Sequence, residues 1–178
     1  RKNNVKYLIY TSSASVVFNG NNIEGGDESM PYPKKPLSFY TATKAMAEKL
    51  VLEADSPSLR TLSLRPHLVY GQGDNHLFPR IRKQSESGRL RQIGDGRNLI
   101  DVSYIDNVIA AHLDAAEALA ANPEASGKAY FITNGEPVLL WGFLNDMLRM
   151  SGLQPVSKSI PVWAAGAFAF LDDAIHKT

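Results

Sequence analysis

The chain has 178 residues, 44% of them hydrophobic, with 19 lysines and arginines against 18 aspartates and glutamates. That is enough apolar material for one core, and a net charge of +1 gives no general pull toward nucleic acid or acidic membranes. Zero cysteines exclude disulfides and thiolate metal sites and fit a cytoplasmic home; His67, His76, His112 and His176 show no metal-ligand spacing, so no metal is expected.

In chain order, residues 5–10 (Val-Lys-Tyr-Leu-Ile-Tyr) read as a β-rich strand that runs into Thr11-Ser12-Ser13. Hydroxyls just past the C-terminal end of a buried strand sit where open α/β sheets bind ligands. The blander reading is that small polar residues simply leave a strand and turn. A loop follows, marked by Asn19-Gly20, Gly25-Gly26, Pro31, Pro33 and Pro36. The spacing then predicts a helix over 39–54, with Ala42, Met46, Leu50 and Val51 as its buried stripe. Tyr40 and Lys44, four residues apart, share a face of that helix. An ammonium beside a phenol favours the phenolate, the form that can take a proton from an alcohol.

A second strand is predicted over 60–65, running into Arg65-Pro66-His67-Leu68-Val69-Tyr70-Gly71. Phe78 to Gly88 reads as a helix closed by its glycine. Arginines gather between Arg80 and Arg97 with no interleaved aromatic, which argues against a nucleic-acid surface. Asp106 is expected to cap a helix through about Ala121, with Val108, Ile109, Leu113, Ala116 and Leu119 at helical spacing. Residues 129–132 form a short strand ended by Asn134-Gly135. A helix over 140–151 turns Leu140, Leu144, Met147 and Leu148 inward, with Gly152 past its end. Residues 161–171 are almost wholly apolar, yet about half the roughly 20 residues a bilayer span needs. They read as a core helix; the alternative is a surface-seeking helix that touches membrane or a lipid-like substrate.

Taken together, Thr11-Ser12-Ser13-Ala14-Ser15-Val16, Tyr40-Thr41-Ala42-Thr43-Lys44, Arg65-Pro66-His67-Leu68-Val69-Tyr70-Gly71, Gly94-Asp95-Gly96-Arg97-Asn98 and Tyr104-Ile105-Asp106-Asn107-Val108 resemble the extended short-chain dehydrogenases/reductases. Within them, the branch with 3β-hydroxysteroid and sterol dehydrogenases and 2-alkyl-3-ketoalkanoate reductases is the most similar. The resemblance implies an α/β fold, the C-terminal part of a Rossmann-type parallel sheet plus a smaller mixed substrate-binding region. Residues 1–70 would belong to the dinucleotide-binding core. Residues 71–178 would be mainly substrate-binding, with a returning strand and helices. The family's Gly-x-x-Gly-x-x-Gly turn, which holds a pyrophosphate at a helix N-terminus, does not precede Val5. The chain is therefore expected to be the C-terminal part of a longer protein, inactive alone and lacking the adenine and pyrophosphate half of the cofactor site.

By the same resemblance Tyr40 is the general acid/base, and Lys44 holds the nicotinamide ribose and tunes Tyr40. Ser13 orients the substrate oxygen, with Thr11, Ser12 and Ser15 as nearby alternatives. Thr11, Ser12, Tyr40, Lys44, Pro66, His67 and Leu68 would meet the cofactor, NAD or NADP. On the substrate side stand His76, Arg80 and Arg97; Arg97 is read either as a diphosphate clamp or as an ion-pair partner of Asp95 or Asp101. The expected function is an oxidoreductase that interconverts a secondary alcohol and a ketone on a small hydrophobic molecule, sterol-like or a 3-ketoalkanoate. The alternatives are a nucleotide-sugar epimerase or dehydratase and a non-catalytic cofactor-sensing module. Relatives pair through the Tyr40 helix, so a homodimer is expected of the complete protein, with Ala47 and Leu52 facing either the partner or their own sheet. No nucleic-acid partner is expected, and the apolar tail would supply a peripheral membrane contact.

Overall fold

The computed structural model describes residues 3–164. From the N-terminus come β1 (Tyr7–Thr11), a 3₁₀ turn (Ala14–Val17), α1 (Phe39–Glu53), β2 (Arg60–Pro66), β3 (Val69–Tyr70) and α2 (Leu77–Glu86). Then follow β4 (Gln92–Ile93), β5 (Leu99–Ile100), β6 (Ser103–Tyr104), α3 (Ile105–Ala121), β7 (Lys128–Ile132), β8 (Val138–Leu139), α4 (Leu140–Met150) and β9 (Ser159–Ile160). The described residues divide into two compact units, those up to Gly71 with Val102–Gly135, and Gln72–Asp101 with those from Glu136 onward.

The first unit is built on a parallel sheet of order β1-β2-β7, in which Thr11 lies opposite Leu64 and Pro66 opposite Ile132. β2 is the middle strand and is buried from Thr61 to Pro66. Its side chains alternate between two helices, as a strand's must. Leu62 and Leu64 pack with Ala115 and Leu119 of α3. Ser63 and Arg65 point the other way, into hydrogen bonds with Glu48 of α1. Helices on both faces of a parallel sheet are the α/β arrangement that the motifs imply.

α1 starts where Ser38, in extended conformation, accepts the Thr41 amide on its hydroxyl at 3.1 Å, a standard N-cap. Its buried stripe differs from the predicted one. Thr41, Ala45 and Glu48 face the core, while Met46 and Leu50 are 64% and 66% exposed. The reason is that the core under this helix is mixed: Ala45 packs with the buried Val16 and Val17, and beside them lies a polar cluster. Glu48, fully buried, takes 2.7 Å hydrogen bonds from Arg65 Nη2 and Ser63 Oγ and a 2.6 Å bond from Tyr32 Oη. The Arg65 guanidinium also lies 5.6 Å from the Tyr32 ring centroid and 5.3 Å from that of Phe131. Burial pushes the Glu48 carboxyl up, but the hydrogen bonds from Arg65, Tyr32 and Ser63 outweigh it, and its pKa is lowered. Ser12 adds to this lowering, although its buried Oγ has no hydrogen bond of good geometry. Burial, with Glu48 as its acceptor, pushes the Tyr32 phenol up to about 12.

Two more predicted details change. Tyr104 caps α3, and Asp106 sits in its first turn, where a carboxylate still complements the helix dipole. Ile109 and Leu113 are exposed, leaving Val108, Ala115 and Leu119 as the buried face. β3 and β6 pair side by side, and Gly71 follows with φ +139°; a Cβ there would fall 2.5 Å from Ile105 Cγ2. That steric limit explains the glycine of Val69-Tyr70-Gly71.

The second unit carries α2, α4 and the two-stranded pairs β4-β9 and β5-β8. α4 buries Trp141, Leu144 and Leu148. The predicted tail helix falls mostly outside the described residues. Among those described, no helix is long and apolar enough to cross a membrane.

Glu48→Ala leaves Arg65 buried without its counter-ion and should cost about 3–5 kcal/mol in urea unfolding. Met46→Ala, on the exposed side, should change stability by less than about 0.5 kcal/mol. Equal losses at the two positions would contradict this assignment of the buried face.

The same cluster sets a pH window. Glu48, lowered when folded, contributes stability above the ordinary carboxyl value of 4.5 and loses it as pH falls. Tyr32, raised when folded, contributes below pH 10.0 and loses its share as pH rises toward about 12. Melting temperature followed from pH 3 to 12 should therefore fall on both flanks, and Tyr32→Phe should flatten the alkaline one.

Candidate functional site

Because β1 and β2 run parallel and in register, Thr11-Ser12-Ser13 and Pro66-His67-Leu68 leave the sheet at the same C-terminal edge. Each hydroxyl of the first segment has its own surroundings. Thr11 Oγ1 is 2.7 Å from His112 Nε2 on α3. Ser12 is buried on the α1 side. Ser13, half-buried, caps the 3₁₀ turn by accepting the Ser15 amide at 3.2 Å, and its Oγ lies 2.9 Å from Ser15 Oγ.

α1 brings Tyr40 and Lys44 to the same edge. Lys44 Nζ donates to the Thr11 carbonyl at 2.9 Å and sits 5.1 Å from the Tyr10 ring centroid. That hydrogen bond uses one of three ammonium donors and leaves two for another acceptor. Tyr40 lies one helical turn before Lys44 and is 56% exposed. Tyr40, Lys44 and Glu48 follow one another at four-residue intervals. One line along the helix thus runs from an exposed phenol, past a half-buried ammonium, to a fully buried carboxylate.

On the β2 side, the His67 amide donates to Ile132 O at 3.1 Å and Leu68 O accepts the Ser103 amide at 3.2 Å. His67 Nδ1 is buried with no partner, a polar atom suited to a bound group with hydrogen-bonding capacity. This atom and the two spare Lys44 donors fit the nicotinamide-ribose end of a dinucleotide.

His76, Arg80 and Arg97 belong to the second unit. The Asp74 carboxylate accepts the amides of His76, Leu77 and Phe78 at 2.8–2.9 Å and so caps α2. Burial pushes that carboxyl up, but the three amides outweigh it and lower its pKa. His76 and Arg80 are both exposed, four residues apart at the start of α2. Arg97 is 88% exposed and makes only a 3.9 Å pair with Asp95.

Two residues escaped sequence reasoning. Glu48 has no role in the sequence reading, and its only signal was the four-residue spacing from Lys44. His112 carried no local signal at all.

A model of the 3-beta hydroxysteroid dehydrogenase/isomerase family matches residues 1–162. Mus musculus sterol-4-alpha-carboxylate 3-dehydrogenase, decarboxylating, is 40% identical over 174 residues, covering 96% of this chain and 48% of that protein. A Shewanella oneidensis 2-alkyl-3-oxoalkanoate reductase is 42% identical over 174 residues, 92% of this chain and 45% of the relative. The solved structure of MoeE5 in complex with UDP-glucose and NAD is similar with a TM-score of 0.65 and 25% identity, over 90% of this chain and 53% of that one. The chain spans about half the length of the curated relatives it matches.

Proposed function

The chain belongs to the 3-beta hydroxysteroid dehydrogenase/isomerase family, and from that premise we propose that it carries the acid/base residues of an NAD(P)-dependent oxidoreductase. The reaction is the interconversion of a secondary alcohol and a ketone on a hydrophobic molecule. The observation that carries this reading is Lys44 Nζ held at the Thr11 carbonyl, one helical turn from Tyr40, at the sheet edge where Ser13 emerges. The dinucleotide, when bound, supplies the hydride acceptor or donor. Tyr40 takes the alcohol proton in oxidation and returns it in reduction, and the Lys44 charge favours its phenolate form. Ser13 orients the substrate oxygen: Ser12 is buried and Thr11 is tied to His112 on α3, whereas the bonds of the Ser13 hydroxyl are local ones to Ser15, which stays the neighbouring alternative.

The two relatives' names share a piece of chemistry. A sterol 4-carboxylate oxidised at C3 and a 3-oxoalkanoate both hold the reacting oxygen on the carbon β to a carboxylate. The proposed substrate class is therefore a hydrophobic β-hydroxy or β-keto acid, with His76, Arg80 and Arg97 kept as the substrate-side residues that the resemblance implies. A nucleotide-sugar epimerase or dehydratase is the second reading, favoured by the likeness to MoeE5. There Arg97 would clamp a diphosphate, and its weak pair with Asp95 leaves it free to do so.

Phe39, Met46 and Leu50 form an exposed apolar stripe along α1, which a second copy of the protein would cover. Peripheral membrane contact through the apolar tail remains part of the proposal.

In the full-length protein, Tyr40→Phe should lower turnover by about 10²–10⁴-fold while dinucleotide binding, followed by calorimetry, stays nearly intact. Lys44→Ala should weaken both. Arg97→Ala separates the two readings. Raised KM for a 3-oxoalkanoate with no UDP-sugar activity supports the first, whereas activity confined to a UDP-sugar overturns it. Met46→Glu with Leu50→Glu should convert a dimer to a monomer in sedimentation, and an unchanged dimer would place the interface elsewhere.

A further inference from the structure

Thr11 is held from three directions at the point where it receives Lys44. The peptide that joins it to Ser12 is fixed from β2, since Ser12 N donates to Leu64 O at 2.7 Å. In a trans peptide the carbonyl points opposite to that N–H, so the Thr11 carbonyl faces away from β2. This carbonyl takes Lys44 Nζ at 2.9 Å. No second strand flanks β1 on that side among the described residues. The third hold comes from α3, on the opposite face of the sheet from α1: Thr11 Oγ1 lies 2.7 Å from His112 Nε2.

The hydrogen placement follows from the far side of the ring. His112 Nδ1 is 2.7 Å from the Val108 carbonyl, and a carbonyl can only accept. The proton of the neutral ring is therefore on Nδ1, which leaves Nε2 bare to accept the Thr11 hydroxyl. An unbroken line results, from the α3 backbone through His112 and Thr11 to the Lys44 ammonium. The ring is half-buried, and its two hydrogen bonds set both its tautomer and its orientation.

We propose that His112 is a positioning residue for Lys44, acting through Thr11. It tethers the open end of β1 to α3, so that the Thr11 carbonyl stays where it aims the ammonium at Tyr40 and the ribose site. The inference rests on the roles given to Tyr40 and Lys44 above. It adds a residue of α3, 101 positions away from Thr11 in sequence, to the support of the site. His112 touches neither substrate nor cofactor in this role, and its contribution passes entirely through the strand end.

The test uses the full-length protein with His112→Leu, His112→Gln, Thr11→Val and the Leu/Val double variant. In cofactor-free protein, acylation of the Lys44 amine by acetic anhydride is followed by mass spectrometry, with Lys6 and Lys128 as internal references. Loss of the tether should speed Lys44 acylation by about two- to tenfold, the scale of one hydrogen bond, and lower kcat by a similar factor. Thr11→Val should match His112→Leu, and the double variant should be no worse than either, because both cut the same line. His112→Gln, whose carboxamide reaches the Nε2 position, should restore both readouts. A merely structural histidine would instead lower the melting temperature and leave Lys44 reactivity unchanged.

Unchanged Lys44 acylation in His112→Leu overturns the proposal. So do additive effects in the double variant, or a Gln variant no better than Leu. If His112→Leu does not fold, Thr11→Val, nearly isosteric, carries the measurement. Full activity in Tyr40→Phe and Lys44→Ala would sink the catalytic reading instead, and the acylation rates would still decide whether His112 holds Lys44 in place.

Discussion

The buried pair of Glu48 and Arg65 is the constraint on which the rest of the first unit depends. A carboxylate taken wholly out of water is costly unless every lone pair is met, and here Arg65, Ser63 and Tyr32 meet them. That requirement leaves α1 one acceptable rotation about its axis. Lys44 and Tyr40 stand one and two turns before Glu48 on the same line, so the rotation that satisfies the carboxylate also presents the ammonium and the phenol at the sheet edge. Arg65 in turn is the first residue of Arg65-Pro66-His67. The same ion pair therefore fixes the end of β2 from which the His67 segment departs. Two sequence motifs that look independent are joined by one interaction beneath them.

The pair also explains which parts of the fold were legible. Elements with local punctuation could be placed within a residue or two. Ser38 caps α1, Gly88 follows α2, and Gly152 with φ +73° follows α4. The buried face of α1 was not legible, because periodicity counts apolar residues and this face is made of Thr41, Ala45 and Glu48. β2 hid the same fact in another form. Its alternation of Leu with Ser and Arg reads as a strand half open to water, yet both faces are covered, one by apolar side chains and one by the Glu48 cluster. β3, β4, β5, β6, β8 and β9 are two residues long, too short for any pattern to register.

For the candidate site the division follows sequence distance. Tyr40 and Lys44 could be paired because a helix converts a four-residue spacing into a shared face. Ser13 could be narrowed to a group of hydroxyls, and only the surroundings separate them: Thr11 bonds His112, Ser12 is buried against the carboxylate, and Ser13 caps a turn. His112 could not be found, since its partner lies on another element and a lone histidine on a helix has many roles. Cation positions in the second unit were legible as residue types only. Arg97 is identified by its motif, while its exposed, long pair with Asp95 gives no hint of a fixed role.

That contrast bears on how one scaffold is shared by proteins named for sterol carboxylates, oxoalkanoates and nucleotide sugars. The proposed acid/base group touches a single oxygen and the carbon that bears it, so it is indifferent to what the rest of the molecule is. Tyr40 and Lys44 stand on the helix that the Glu48 cluster anchors, so a change at Glu48 or Arg65 is expected to disturb their placement. The proposed substrate-side residues are the opposite case. His76, Arg80 and Arg97 are exposed, and an exposed ion pair such as Arg97–Asp95 contributes about 0–1 kcal/mol at most, so redirecting that arginine costs the fold almost nothing. On the proposed assignment, substrate choice would change by surface substitution in the second unit, while the positions of Tyr40 and Lys44 would stay held by the buried ion pair in the first.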